Sequence, residues 1–171
     1  MTGYVALLRG VNLLGVSTLK MSDLKAIADE LTLSNAMTYI ASGNLLFRSE
    51  RSEPSLKSAL EHAIGEHMGA DVPVMVRSAD ELTAVLAANP FRDAPGNRTV
   101  AIFLDQAPPP DAAAVAKNVA DERIGVGTRE LYVAYGGGMA DSKLRIPAAA
   151  RGTARNMNTV AKLAALSKEM A

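Results

Sequence analysis

Three short polar segments contain the side chains that could bind a ligand. Two of them lie in the first third of the chain and one lies near its end. Guanidinium, amide and hydroxyl groups donate hydrogen bonds, and a cluster of such donors on glycine-bearing loops suits an anion. The candidate ligand-binding residues are Arg9, Asn12, Ser42, Asn44, Arg155, Asn156 and Thr159.

Acidic residues are absent from the sequence around two of these segments. No Asp or Glu occurs between Arg9 and Met21, and none occurs between Asp141 and Lys168. Because neighbouring arginines repel each other, this favours an external anion, such as the phosphate or carboxylate of a metabolite. The alternative is structural. In that case Arg9 and the asparagines bind backbone carbonyls, and Arg155 pairs with a carboxylate from elsewhere in the chain.

Other kinds of chemistry find little support in the residue types. Cysteine is absent, which excludes disulfides, thiolate metal sites and cysteine nucleophiles. His62 and His67 stand about 140° apart around a helix, whereas two zinc ligands on one helix need a spacing of three or four residues. Ser42 joins two predicted strands, so it does not form a nucleophile elbow. We expect no metal and no cofactor, and whether the protein is an enzyme stays open.

The first half of the chain predicts the elements that position Arg9 and Ser42. Apolar runs and helical spacing predict strands at 4–8, 37–41, 45–47 and 72–76, and helices at 22–31 and 52–68. This β-α-β-β-α-β order is that of the ferredoxin-like plait. There the third strand lies between the first two, so we expect the loop after Arg9 and the turn at Ser42 to share one sheet edge.

The second half repeats this order less regularly. We predict a capping box at Ser78 and Glu81 that opens a short helix, and a strand at 99–104 that echoes the first strand. Further along we predict a helix at 111–120, a hairpin of 123–127 and 130–135, and a last helix at 159–170. The predicted fold is therefore α+β, with a ferredoxin-like plait in residues 1–77 and a second plait-like subdomain in residues 78–171.

Length and charge limit the class of protein. The chain has 171 residues, with 18 basic and 18 acidic side chains. This balance argues against a protein that grips a polyanion over many phosphates. No apolar run approaches the roughly 20 residues of a membrane span, and the first residues do not resemble a secretory signal. We expect a cytoplasmic monomer or weak homodimer with no membrane partner.

Five ordered segments resemble a known family. They are YVALLRGVN at 4–12, KMSDL at 20–24, TYIASGNLLF at 38–47, SKL at 142–144 and TARNMNTV at 153–160. The chain resembles the bacterial family catalogued as domain of unknown function sixteen ninety-seven. The resemblance implies two ferredoxin-like α/β subdomains and no established activity, cofactor or catalytic residue. At 13–15 the chain departs from the family's second glycine, and Met157 stands where the family implies tryptophan.

Three functions remain open from the sequence. The leading one is a small-molecule or anion-binding domain, with the seven candidate residues lining a polar cleft between the two halves. The first alternative is a protein-interaction or regulatory dimer that uses exposed sheet edges. The second is an RNA-binding plait, against which the aromatic content of only 4% argues, since such plaits stack bases on aromatic side chains.

Overall fold

The computed structural model describes residues 1–12 and 18–170. This part of the chain is a mixed α+β protein with two four-stranded antiparallel sheets and four α-helices. Its backbone divides into two compact units, Met1–Leu82 with Leu163–Ala171, and Thr83–Lys162. The expected departure from the family at 13–15 lies outside the described residues.

The first sheet contains strands β1 to β4 in the order β2-β3-β1-β4, and every neighbouring pair is antiparallel. The strands are Thr2–Leu8, Ser34–Thr38, Asn44–Ser49 and Val74–Ser78. Since β1 and β2 each run antiparallel to β3, they are parallel to each other, as predicted. Pro73 in the fourth predicted strand indicates an edge position, and β4 does lie at an edge of the sheet. That strand begins one residue after Pro73, which has no N–H to donate.

Two helices cover one face of this sheet. Helix α1, Met21–Glu30, buries Leu24, and helix α2, Glu53–Met68, buries Leu56, Leu60 and Ile64. These side chains join residues of β1, β3 and β4 in one apolar cluster, so the predicted helical stripe does pack on the sheet. Helix α2 begins at the Ser52 cap and ends at Gly69, whose φ is 69°.

The second sheet repeats the strand order of the first. Its strands are β5, Thr99–Phe103, β6, Arg123–Val126, β7, Glu130–Ala134, and β8, Thr153–Asn156. Their order is β6-β7-β5-β8, with antiparallel neighbours throughout. The predicted strand at 99–104 and the predicted hairpin are therefore correct, and β5 lies between β7 and β8. Residues of β5 and β7 form an apolar cluster with Ala112 and Ile146.

The predicted helix at 111–120 is wrong. The segment forms turns, Asn118 takes a φ of 58°, and Lys117 makes an isolated bridge with Arg145. Ala112 is the one residue of the segment that is buried. A run of alanine has high helix propensity, but it offers no wide apolar stripe to bury, and short helices depend on such burial.

The last two helices follow capped starts. Helix α3, Ala79–Ala87, has the predicted capping box, in which Ser78 N donates to Glu81 Oε1 at 3.1 Å and Glu81 N donates to Ser78 Oγ at 3.2 Å. Helix α4, Met157–Met170, begins two residues before its predicted start. None of the helices in the described part of the chain is long and apolar enough to cross a membrane.

Candidate functional site

Asn12 ties three segments of the first unit together. Its Nδ2 donates to the backbone oxygens of Leu19, at 2.9 Å, and Ala41, at 2.7 Å, while its Oδ1 accepts from Leu19 N at 2.7 Å. Its φ is 56°, a left-handed conformation that asparagine tolerates better than most residues. The loop after β1, the start of α1 and the turn between β2 and β3 are therefore held at one edge of the sheet.

Asn44 fixes the turn itself. It is completely buried, and its Nδ2 donates to Tyr39 O at 2.9 Å and to Ser42 Oγ at 3.1 Å. Gly43 has a φ of 89°, as is expected of a glycine in a tight turn between two strands, and a Cβ there would meet Val11 at 2.6 Å and Leu8 at 2.9 Å. The side-chain amides of Asn12 and Asn44 therefore donate to backbone carbonyl oxygens, which is what the structural alternative predicts for these residues.

Other side chains at this edge of the sheet are exposed or half-buried. Arg9 is exposed, with its backbone N bonded to Pro73 O at 3.0 Å, and Ser42 is half-buried. Lys20, exposed, precedes α1 and follows the clamped Leu19. We call the set Arg9, Lys20, Ile40 and Ser42 the loop edge.

Ile40 is the unusual member of the loop edge. Its φ is 51° and it is 49% exposed. A β-branched residue in the left-handed region is strained. Neither Ile40 nor Lys20 is among the residues predicted from the sequence. Lys20 could have been found because it is a cation just before a predicted helix, but no sequence signal indicates the left-handed backbone conformation of Ile40.

The polar run before the last helix predicts a loop at Arg155, but the structure places Arg155 in β8. It is 7% exposed, and its Nη1 donates to Thr153 Oγ1 at 2.9 Å and to Ala154 O at 3.0 Å. Burial lowers the pKa of Arg155 to about 10, because the charged form is desolvated. The side chain is still cationic at neutral pH.

Asn156 and Thr159 form the start of α4. The polar run before the last helix predicts Asn158 or Thr159 as its N-cap. The cap is instead Asn156, whose Oδ1 accepts from Thr159 N at 2.9 Å. Met157, at the position where the family implies tryptophan, is buried, with 4% exposure. These polar groups therefore hold the helix start.

The predicted residues form two groups. Arg9, Asn12, Ser42 and Asn44 come together in the first unit, and Arg155, Asn156 and Thr159 come together in the second. A cleft that contains both groups stays a prediction.

Two further polar clusters were not predicted. Ser142 Oγ donates to Glu122 Oε2 at 2.5 Å, and this bond, with one from Ala120 N, lowers the pKa of Glu122. Buried Arg77 lies 3.6 Å from Glu53, and its Nε is buried with no hydrogen-bond partner in the described structure. No group of three or more His, Asp or Glu among the described residues could hold a metal ion.

Fold and motifs together define a mixed α+β protein with a duplicated antiparallel sheet. The chain belongs to the family described as Protein of unknown function (DUF1697), which it matches over residues 1–132. Its fold is similar to the solved structure of conserved bacterial protein SP0830 from Streptococcus pneumoniae. The TM-score is 0.78 and the identity is 23%, over 97% of this chain and 98% of that one. No curated protein matches the sequence.

Proposed function

We propose that the protein binds a small anionic metabolite at the loop edge of its first unit. The observation that carries this proposal is the Asn12 clamp, which holds the loop of Arg9, the start of α1 and the turn of Ser42 together. Asn12 and Asn44 then act as positioning residues, and the exposed members of the loop edge contact the ligand.

The charges of the loop edge suit an anion. Arg9 and Lys20 are exposed cations, and the Ser42 hydroxyl lies at the same edge. Lys20 precedes the first turn of α1 and makes no side-chain cap, so the positive end of the helix dipole adds to the same potential. These features support a phosphate or carboxylate as the group that binds.

Backbone strain supports a functional role for the same place. Gly10, Asn12, Ile40 and Gly43 all have positive φ values between 51° and 89°. For Ile40 this conformation costs roughly 1–2 kcal/mol, and a side chain that is half-exposed recovers little of that by burial. Strain of this kind concentrates at binding sites, so we infer that the Ile40 side chain contacts the apolar part of the ligand.

The first sheet also bears on the RNA-binding alternative. Phe47 stacks on Tyr4 with ring centroids 5.9 Å apart, but Phe47 is completely buried in the helix-covered core. Its ring therefore offers no platform for bases. The dimer alternative retains one supporting feature, since β2 is an edge strand and its Met37 is 38% exposed. If β2 pairs with a second copy, Met37→Glu will shift the sedimentation coefficient towards that of the monomer.

We infer that the first unit is a ferredoxin-like plait and the second a less regular one. The β2-β3-β1-β4 order with α1 and α2 on one face supports the first inference, and the equivalent order of the second sheet supports the other. We keep 1–77 and 78–171 as the proposed domains because each range contains one of the two equivalent sheets, except that Ser78, the last residue of β4, falls in the second range.

The test is calorimetric titration of the intact protein with inorganic phosphate and with citrate. We expect Arg9→Ala and Lys20→Ala each to weaken binding about tenfold, which is typical for the loss of one charge-assisted hydrogen bond. Lys25→Ala is the matched control, because Lys25 is an exposed lysine of α1 that pairs with Asp29 at 2.9 Å. Equal affinities in all four proteins would refute the proposal.

A second pair of variants tests Ile40. Ile40→Asn should relieve the strain and raise the melting temperature, while weakening the binding of anions that carry an apolar part. Thr32→Asn is its control, since Thr32 also has a positive φ, 57°, and is exposed at the end of α1. That change should raise stability and leave binding unaltered. Loss of stability in Ile40→Asn would show that the left-handed conformation is not strained.

A further inference from the structure

A cavity of about 420 Å³ lies within the second unit, whereas the loop edge belongs to the first. Its walls come from the segment after β5 and the segment before β8, and include Leu104, Asp105, Pro108, Pro147, Ala148 and Arg151. Pockets that hold small organic ligands measure roughly 300–1,000 Å³. At about 420 Å³ the cavity lies near the lower limit of this range, and its size therefore suits a ligand of few atoms.

The walls are built to keep their shape. Pro108 is buried and Pro147 opens a short 3-10 helix, and both have φ fixed by their rings. Gly152 brings the two segments close, since a Cβ there would meet Ile102 at 2.7 Å and Leu104 at 2.9 Å. A preformed cavity loses little entropy when a ligand binds.

The cavity combines an apolar wall with one charge of each sign. Leu104, Pro108, Pro147 and Ala148 offer hydrocarbon surface, while Asp105 and Arg151 are exposed to solvent. A carboxylate ligand would pair with Arg151, and an ammonium group would donate to Asp105, whose two oxygens have about four acceptor positions and can accept a bond beside those already made. A molecule with both charges and a short hydrocarbon side chain uses all three features.

We propose that this cavity binds a free apolar α-amino acid as the zwitterion. The carboxylate of the ligand pairs with Arg151, its ammonium group donates to Asp105, and its side chain lies against Leu104 and Pro108. The site is separate from the anion site proposed above, and neither proposal depends on the other.

The test uses L-leucine and two analogues, each titrated calorimetrically into the intact protein. The first analogue, 4-methylpentanoate, lacks the ammonium group, and the second, isopentylamine, lacks the carboxylate. We expect both analogues to bind at least about tenfold more weakly than leucine, because each leaves one charged group of the protein without its ligand partner.

Two variants assign the charges. Arg151→Gln should weaken leucine binding about tenfold and leave isopentylamine unchanged, and Asp105→Asn should weaken leucine binding and leave 4-methylpentanoate unchanged. The controls are Arg145→Gln and Asp111→Asn, which remove exposed charges that do not line the cavity. Neither control should alter leucine binding.

Binding of the analogues as tightly as leucine would overturn the proposal, and so would an Arg151→Gln variant that binds leucine normally. Filling the cavity gives an independent readout. Ala148→Phe should abolish leucine binding and should leave the phosphate titration of the loop edge unaltered. If leucine binding survives this change in a folded variant, the cavity is not its site.

Discussion

The two sheets of this protein share one strand order but reach it through different connections. In the first, helices α1 and α2 link successive strands and bury a leucine-rich stripe. In the second, the corresponding links are proline-containing turns, and apolar groups of those links, Ala112 and Ile146, join the strand cluster. The comparison shows that strand pairing alone can reproduce the topology, whereas a covering helix needs an apolar stripe of its own.

The candidate residues of the two units make polar contacts over different separations in sequence. In the first, Asn12 binds the backbone oxygen of Ala41, 29 residues away, while Asn44 binds Tyr39 O within its own turn. In the second, Arg155 and Asn156 bind groups of their own strand or of the helix that follows. Long-range clamps fix the position of one loop relative to another, while local bonds fix only the element to which they belong.

The largest expected effect separates the two cores. Leu60→Ala should lower the free energy of unfolding by about 2–5 kcal/mol, because Leu60 is completely buried on the face of α2 that packs on the first sheet. Ile146→Ala should cost about 2 kcal/mol, near the lower end of the same range, because Ile146 is 8% exposed at the border of a smaller cluster. Urea denaturation measures both. A larger loss of unfolding free energy for Ile146→Ala than for Leu60→Ala would show that the apolar cluster of the second sheet is the more sensitive of the two to truncation.

The second effect compares the two kinds of polar contact. Asn44→Ala should cost about 1–3 kcal/mol, since it leaves the Tyr39 carbonyl without its bond in a buried turn. Asn156→Ala should cost about 1 kcal/mol, the usual value for a lost helix cap. Thermal melts monitored by circular dichroism give both values. Equal losses would mean that the buried clamp is no more important than the cap.

The third effect concerns alkaline pH and the second unit. Burial, with a smaller contribution from Glu130, raises the pKa of Tyr132 from 10.0 to about 12, and its hydroxyl donates to Val85 O at 2.7 Å. The neutral form is favoured in the folded state, so the stabilisation is complete below pH 10 and is lost as the pH rises towards 12.

Tyr132→Phe should therefore cost about 1 kcal/mol at pH 8, and the difference from the native protein should narrow between pH 10 and pH 12. Melting temperatures at four pH values test this. If the difference in melting temperature between the two proteins stays constant from pH 10 to pH 12, Tyr132 does not lose its proton at a lower pH in the unfolded chain than in the folded protein, and the prediction is wrong.

The smallest effect compares two surface ion pairs. Lys25→Ala, which removes the pair with Asp29, should change stability by less than about 0.5 kcal/mol because both partners are well exposed. Arg123→Ala removes a pair with Asp93 at 3.1 Å and also a contact of its guanidinium with the Phe91 ring at 4.8 Å, so about 1 kcal/mol is expected. If Arg123→Lys is as unstable as Arg123→Ala, the lost stability comes from the stacking of the planar guanidinium on the Phe91 ring and not from the charge.

Several elements could be predicted because their signals are local. The cap at Ser52, the stop at Gly69 and the box of Ser78 with Glu81 each depend on residues within one helical turn of each other. The positive φ at Gly43 likewise follows from a tight turn between two strands. The segment at 111–120 failed for the opposite reason, since helix propensity without a stripe to bury does not decide the structure.

In the candidate site, too, some features follow from the sequence and others depend on the fold. The sequence by itself identified the polar residues of the loop after β1 and of the turn before β3, and the order of the first four strands places Asn12 near the turn of Ser42. Only the tertiary structure decided their roles. The amides of Asn12 and Asn44 are used by backbone groups, Arg155 is buried in a strand, and Ile40 is left exposed in a strained conformation. Residue type sets what a side chain can bind, but burial and the nearest backbone groups decide what it does bind, and those depend on contacts across the folded chain.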